Sequence, residues 1–359
     1  MSDEDVRRTK FPLPDDMPAT PPLPEFLFLT CQAGAEQALK DELAREWPTL
    51  RFAYSRPGFV TFKFERGQFH AASWDLTVLR TVFARAGGFS LGRASGDTVE
   101  TRVKSVAALA TGAQITFARR HVWERDGAAD MQNAASDVLR ESSGDQPAQA
   151  GDWVLDVVLV SATEWWVGYH RAHSEPSRWP GGCLPITLPA DAVSRAYLKM
   201  EEALEWSRLP LKAGQKCVEV GSAPGGAAQA LLNRGLWVTG IDPAEMHALV
   251  LQHPHFTHIR RRSKDVPHET FRGVQWLTVD VNQPPNYTLD VVEAILKYPG
   301  VHLQGLLLTL KLRDWSLAAV LPENLARIKS WGFTNILAKQ LVHNRQEVCV
   351  VVQRRPERI

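Results

Sequence analysis

The sequence predicts an α/β protein. A seven-stranded sheet wound on both faces, with its last strand antiparallel, follows a smaller α+β region. Three observations carry this. After residue 190, strand-like and helix-like segments alternate steadily, as they do when parallel strands are joined by crossover helices. The last two strand segments are separated only by residues 342–346 (VHNRQ), too few for a crossover helix, so the final strand must turn back. The first part reads β-α-β-α-β, as in a small ferredoxin-like domain.

A chain of 359 residues is too long for one simple core, so two or three domains are expected. Residues 1–23 are rich in Pro and Asp and lack apolar periodicity; they read as a disordered tail. Residues 24–95 form the ferredoxin-like unit. EFLFLTCQAG is a strand and turn, and AEQALKDELAREW places Ala35, Leu39, Leu43 and Trp47 at helical spacing. FVTFKFE alternates as a strand, and DLTVLRTVFARAGGFSL reads as a helix and a return strand. Residues 96–175 form a second unit. It comprises a helix (ETRVKSVAALATG), a strand (QITFARRHVW), a helix (ADMQNAASDVLRES) and a hairpin (WVLDVVLVSATEWWVGYHR). The Pro- and Gly-dense loop HSEPSRWPGGCLPITLP marks the boundary, with residues 176–190 as linker and 191–359 as the C-terminal domain. The strands of that domain are KCVEVG, LWVTGID, FTHIRR, VQWLTVD, GLLLTLKL, FTNILAKQL and EVCVVVQ. Helical segments GAAQALLNR, PAEMHALVLQ, TLDVVEAILKY and PENLARIKSW lie between most of them.

Composition sets the class. Hydrophobic residues make up 44% and charged residues 23%, ordinary for a soluble globular protein. No apolar run is long enough to span a bilayer, and the N-terminus lacks the apolar core of a signal peptide. Cys31, Cys183, Cys217 and Cys349 are scattered without a CxxC, so no disulfide framework or metal site is expected and a cytoplasmic location fits. Net charge is +1 but uneven: residues 191–359 carry 21 Lys+Arg against 16 Asp+Glu, residues 1–190 carry 20 against 24. The basic half permits a nucleic-acid partner without requiring one, and Arg260-Arg261-Arg262 with Lys264 is the local cluster that would serve it. Trp165, Trp166 and Tyr169 could stack on bases, but among 12 tryptophans burial is the better expectation.

The stretch VEVGSAPGGAAQALL joins a strand to a helix through a glycine loop, the geometry of a nucleotide-like ligand site. A P-loop is excluded, because Ala227 and Ala228 stand where Lys and Ser/Thr would hold phosphate and magnesium. Gly221, Gly225 and Gly226 lack the middle glycine of a GxGxxG dinucleotide fingerprint. Asp242 ends the second strand, where an acidic side chain accepts from ribose hydroxyls in dinucleotide and S-adenosylmethionine sites alike. Asp265 follows the third strand and Asp280 ends the fourth. Seven strands with the last reversed is the pattern of class I (Rossmann-like) methyltransferases; a generic nucleotide-binding sheet is the competing architecture.

At SRAYLKMEEALEW, VEVGSAPGGAAQALL, LTVDVNQPP, LTLKL and HNRQEVCV the sequence resembles the THUMP-domain 2′-O-ribose methyltransferases that modify a cytidine of 23S rRNA, whose catalytic domain is FtsJ-like. The resemblance is strongest over residues 185–359 and extends weakly to FLFLTCQAGAEQALKDEL. It implies a THUMP-like RNA-binding role for residues 96–175, S-adenosylmethionine as cofactor and rRNA as partner. It implies a catalytic Lys-Asp-Lys-Glu tetrad at Lys199, Asp280, Lys311 and Glu347. Cofactor contacts carry over to Ala223, Pro224, Gly225 and Gly226, with Gly221 beneath them, and to Asp242, Asp265 and Asp280. Family members often place Trp after the double glycine, where this chain has Ala227.

Methyl transfer to a ribose needs help, because a neutral hydroxyl is a poor nucleophile. Lysine is ordinarily protonated near neutral pH. A neighbouring cation such as Lys199 lowers the pKa of Lys311, whereas Asp280 raises it. From sequence, Lys311 is either a base or a cation that stabilises the developing alkoxide. Asp280 would orient it; Lys199 and Glu347 would position the hydroxyl.

Overall fold

The computed structural model describes residues 24–65, 67–69, 76–125 and 147–354. The expected tail (residues 1–23) and the helix expected at ADMQNAASDVLRES lie outside them. Among the described residues, no helix is long and apolar enough to cross a membrane.

The first part contains β1 (Phe26–Thr30), α1 (Glu36–Glu46), β2 (Arg51–Arg56), β3 (Phe59–Lys63), β4 (Ala86–Ala94), α2 (Val99–Gly112), β5 (Arg119–Glu124), β6 (Trp153–Leu159) and β7 (Trp165–Arg171). All seven strands join one sheet, in the order β2-β3-β1-β4-β7-β6-β5. The antiparallel β4–β7 seam links the strands of residues 24–95 to those of residues 96–175. Trp165 and Tyr169 are fully buried, so they are core residues.

Two expectations change here. The strand Arg51–Arg56 is short, largely exposed and carries no apolar alternation, so its pattern gave no warning. The helix expected at DLTVLRTVFARAG is, among the described residues, a single 3-10 turn at Leu76–Leu79. The physical reason is the buried Glu42 carboxylate on α1, which accepts from Val82 N at 2.7 Å and Phe83 N at 3.2 Å. Arg80 is left-handed, with φ +50°. A helix would use those N–H groups internally; Glu42 claims them instead.

The second part comprises α3 (Ala196–Ser207), β8 (Lys216–Val220), α4 (Gly226–Asn233), β9 (Trp237–Ile241), α5 (Ala248–Leu251), β10 (Phe256–Ile259), β11 (Trp276–Val279), α6 (Pro285–Leu296), β12 (Gly305–Lys311), α7 (Leu321–Lys329), β13 (Asn335–Lys339) and β14 (Glu347–Gln353). The sheet order is β10-β9-β8-β11-β12-β14-β13. Six strands point the same way, and β14 alone is reversed, antiparallel to both β12 and β13, as the short VHNRQ joint requires.

Both faces are covered. On one, Val218, Val220, Leu306, Leu308, Leu310, Val348 and Val350 pack with Leu289 and Val292 of α6 and Ile328 of α7. On the other, Cys217, Leu307, Cys349 and Val351 pack with Met200 and Leu204 of α3 and Ala228 and Leu231 of α4. The period of two within near-continuous apolar runs is what a doubly covered sheet demands. The expected helix PAEMHALVLQ shrinks to the one turn of α5. Ala244 N donates to Asp242 Oδ1 at 2.8 Å and His247 N to Pro224 O at 2.9 Å, which holds residues 242–247 as a loop.

Candidate active site

The site forms where β8, β9, β11 and β12 end, the side of an open α/β sheet on which ligands bind. Gly221 turns away from β8 at φ +84°, and a Cβ there would sit 2.2 Å from the Asp280 carbonyl oxygen. The ends of β8 and β11 therefore touch backbone to backbone, which only glycine allows. Gly226 packs equally closely on the segment leading into α3, since its Cβ would meet Ser194 Oγ at 2.2 Å. Ala227, next in the chain, is buried and faces a small cavity shared with Lys199, Met200 and Asp280. A Trp would not fit there without moving α3, which accounts for the small residue at this position.

The loop encloses a cleft of about 630 Å³. Val220, Gly221, Ala223, Ile241, Asp242 and Asp280 form one wall, and Arg261, Arg262 and Lys264 a basic rim. Ala223 N donates to Asp242 Oδ2 at 3.1 Å, so the second strand's acid braces the first strand's loop. Of the expected cofactor contacts, Gly221, Ala223, Asp242 and Asp280 line this cleft; Pro224, Gly225 and Gly226 continue the loop beyond its lining, and Asp265 is exposed on a 3-10 turn outside it.

Beneath the loop lies a group that sequence reading left without a role. Glu219 is buried in β8 and accepts from Ser222 Oγ at 2.6 Å. Burial, outweighing that hydrogen bond and joined by the Asp280 and Asp242 charges, pushes its carboxyl up to about 8. The only sequence signal was a charged residue inside an apolar strand.

Lys199, Lys311 and Glu347 join Asp280, which lines this cleft, in one ionic network. Lys311 closes β12 and Glu347 opens β14, and the two are register partners. Lys311 Nζ lies 2.6 Å from Asp280 Oδ1 and 2.5 Å from Glu347 Oε2. Lys199, from the first turn of α3, pairs with Glu347 Oε1, which also accepts from Asn344 Nδ2 at 3.2 Å. Burial alone would pull the Lys311 ammonium pKa down, but the Asp280 and Glu347 carboxylates outweigh it and hold it above the ordinary lysine value. Burial likewise opposes ionisation of Glu347, and Lys311 and Lys199 overcome it, holding its carboxyl below the ordinary range. Such a network keeps an ammonium desolvated, charged and fixed in direction, ready to stabilise negative charge on a nearby oxygen.

The segment that delivers Glu347 is held from both parts of the chain. Glu202 of α3 accepts from Val342 N and His343 N, each at 2.8 Å. Arg85 Nη2, just before β4, donates to the carbonyls of Leu341 (3.2 Å), Val342 (3.5 Å) and Asn344 (3.4 Å). Gln340 N donates to Val82 O at 2.8 Å. No local pattern could reveal Arg85, because its partners lie more than 250 residues away.

Residues 192–347 match the FtsJ-like methyltransferase family. That span holds the glycine loop and all four residues of the ionic network. The chain is similar to proteins named ribosomal RNA large subunit methyltransferase M. With that of Pseudoalteromonas translucida (strain TAC 125) it shares 29% identity over 222 residues, 59% of each chain. With that of Laribacter hongkongensis (strain HLHK9) it shares 33%, covering 50% of this chain and 54% of the relative. With that of Cellvibrio japonicus (strain Ueda107) it shares 31%, covering 55% and 58%. The matched region thus spans little more than half the length of these relatives. The matched span carries the two-sided sheet expected from sequence and ends at Glu347, where the reversed β14 begins.

Proposed function

We propose that the protein is an RNA 2′-O-ribose methyltransferase using S-adenosylmethionine, acting on a cytidine of large-subunit rRNA. The observation that carries the reading is the network of Lys311, Asp280, Glu347 and Lys199, joined through Asp280 to a glycine-cradled cleft. The cleft fits the cofactor on its own terms. Its loop glycines let the chain pack closely on its neighbours and so shape the turn that borders the cleft, and Asp242 and Asp280 suit a ligand that carries hydroxyls and positive charge. Gly221, Ala223, Pro224, Gly225, Gly226, Asp242 and Asp280 would hold it. Bound there, S-adenosylmethionine supplies an electrophilic methyl carbon on a sulfonium leaving group.

The rest is the chain's work. Lys311, held protonated by two carboxylates, acts as a fixed cation that orients the 2′-hydroxyl and stabilises charge developing on its oxygen. The hydroxyl proton must therefore leave to water, since Lys311 could take it only after losing its own. Asp280 and Glu347 fix the ammonium's direction, and Lys199 neutralises Glu347. Holding nucleophile and methyl carbon in line contributes about 7–11 kcal/mol in well-oriented systems. The rim of Arg261, Arg262 and Lys264 would meet RNA phosphates, and residues 96–175 would act as a THUMP-like RNA-binding unit, reading shape and backbone.

The test is methyl transfer from S-adenosylmethionine to bulk rRNA and tRNA, followed by digestion to nucleosides. The expected product is 2′-O-methylcytidine from large-subunit rRNA. A methylated base in its place would overturn the ribose assignment.

A further inference from the structure

Away from the cleft, one face of the first sheet brings together three side chains with no shared motif. His121 on β5, Asp156 on β6 and His170 on β7 are 3%, 0% and 6% exposed. His121 and Asp156 are register partners on adjacent parallel strands, and His170 lies diagonally across the antiparallel β6–β7 pair. One potential ligand atom from each falls within 4.8 Å of the others.

The hydrogen-bond accounting of this cluster is incomplete without a cation. His170 Nε2 lies 2.7 Å from Ser177 O. A carbonyl cannot donate, so the proton sits on Nε2. Nδ1 then faces Asp156 Oδ2 at 2.6 Å, so a proton on one of the two groups or a cation must lie between them. Asp156 Oδ1 and both ring nitrogens of His121 are buried without a hydrogen-bond partner among the described residues. Leaving buried polar groups unpaired costs about 1–3 kcal/mol each. A second proton on His170 would satisfy its contact with Asp156 and leave His121 orphaned.

We infer that His121, Asp156 and His170 bind a zinc ion that staples β5, β6 and β7 together. Two imidazoles and one carboxylate are a donor set that suits zinc. With zinc–ligand distances of about 2.0–2.2 Å, tetrahedral donors lie about 3.4 Å apart, so the 4.8 Å separation would close by about 1.4 Å and the 2.6 Å His170–Asp156 contact would open by under about 1 Å. The Ser177 carbonyl supplies the outer hydrogen bond that metal-bound histidines use to fix their tautomer. A cavity lined by Trp123, Asp156, His170, Ser177 and Gly181 leads to the cluster, between the sheet and the loop that follows β7. The zinc would therefore hold that loop, the path to the FtsJ-like domain, against the sheet.

The test uses the full chain stripped of metal by chelation. Zinc alone is titrated calorimetrically, and cobalt(II) is added separately to record its visible absorption. One equivalent of zinc is expected to bind and raise the melting temperature, and cobalt to give the band of a four-coordinate nitrogen–oxygen site. Because loss of an outer hydrogen bond alone costs about 10–100-fold, His121→Ala and Asp156→Asn should each weaken zinc at least about 100-fold. A His253→Ala/His255→Ala variant, which removes a histidine pair elsewhere on the surface, should bind as the parent does. If His121→Ala fails to fold, Asp156→Asn and the cobalt spectrum of the parent decide. No stoichiometric zinc, zinc binding unchanged in the cluster variants, or binding lost only in the His253/His255 variant would each overturn the site.

Discussion

Replacing Glu219 by Gln should stabilise the protein, and by an amount that grows with pH. In the folded chain this carboxyl titrates at about 8, against 4.5 for an exposed glutamate. Between those values the unfolded chain has released the proton and the folded one keeps it. Folding is therefore increasingly penalised as pH rises through this window, and the group's favourable contribution is complete only below the unfolded value. At 1.36 kcal/mol per pH unit the penalty is about 1 kcal/mol at about pH 5.5 and about 3 kcal/mol at pH 7, levelling near about 5 kcal/mol above pH 8. A glutamine side chain cannot ionise. Its own burial cost is the same at every pH, so it moves the offset between the two proteins and not the slope. Urea midpoints of Glu219→Gln and parent at about pH 5.5, 7 and 8.5, with m-values checked for constancy, read the slope directly. A difference independent of pH would refute the argument, and with it the raised pKa of the Glu219 carboxyl.

Four further outcomes follow from the site. Lys311→Met should abolish methyl transfer, read by radiolabel incorporation, while cofactor affinity stays within about 3-fold, less than 1 kcal/mol; parental turnover would remove Lys311 from the proposed chemistry. Because its pKa is raised, a cationic Lys311 predicts activity that holds through neutral pH and falls on the alkaline side, whereas a base of lowered pKa predicts a rise across neutrality. Gly221→Ala should cut cofactor affinity more than 10-fold, about 1.4 kcal/mol, measured by calorimetry, since its Cβ would strike the Asp280 carbonyl and its φ is left-handed. Arg85→Ala should lower kcat with cofactor affinity unchanged, because it frees the carbonyls of residues 341–344 that hold the approach to Glu347; Arg85→Lys should recover part of the loss.

Read alone, the sequence determined the C-terminal sheet, because its evidence is local. Period-two apolar runs, intervening helices and a joint of five residues leave one sensible winding, and the reversed β14 follows from chain length alone. The glycine loop was legible for the same reason: a strand end, a turn and a helix start adjoin within nine residues. Tertiary structure decided what depends on distant partners. Glu42 takes the backbone donors of Val82 and Phe83, and a segment with helical spacing stays irregular. The segments read as separate ferredoxin-like and THUMP-like units share one sheet, because β4 pairs with β7 across a long sequence gap. The ionisation of Lys311 was undecidable from residue types, since a neighbouring lysine and two carboxylates push it in opposite directions. Their placement settles it, with both carboxylates touching Lys311 and Lys199 turned to the far oxygen of Glu347. His121, Asp156 and His170 carry no spacing that marks a ligand set; only strand register brings three donors, scattered over 50 residues, to one buried point.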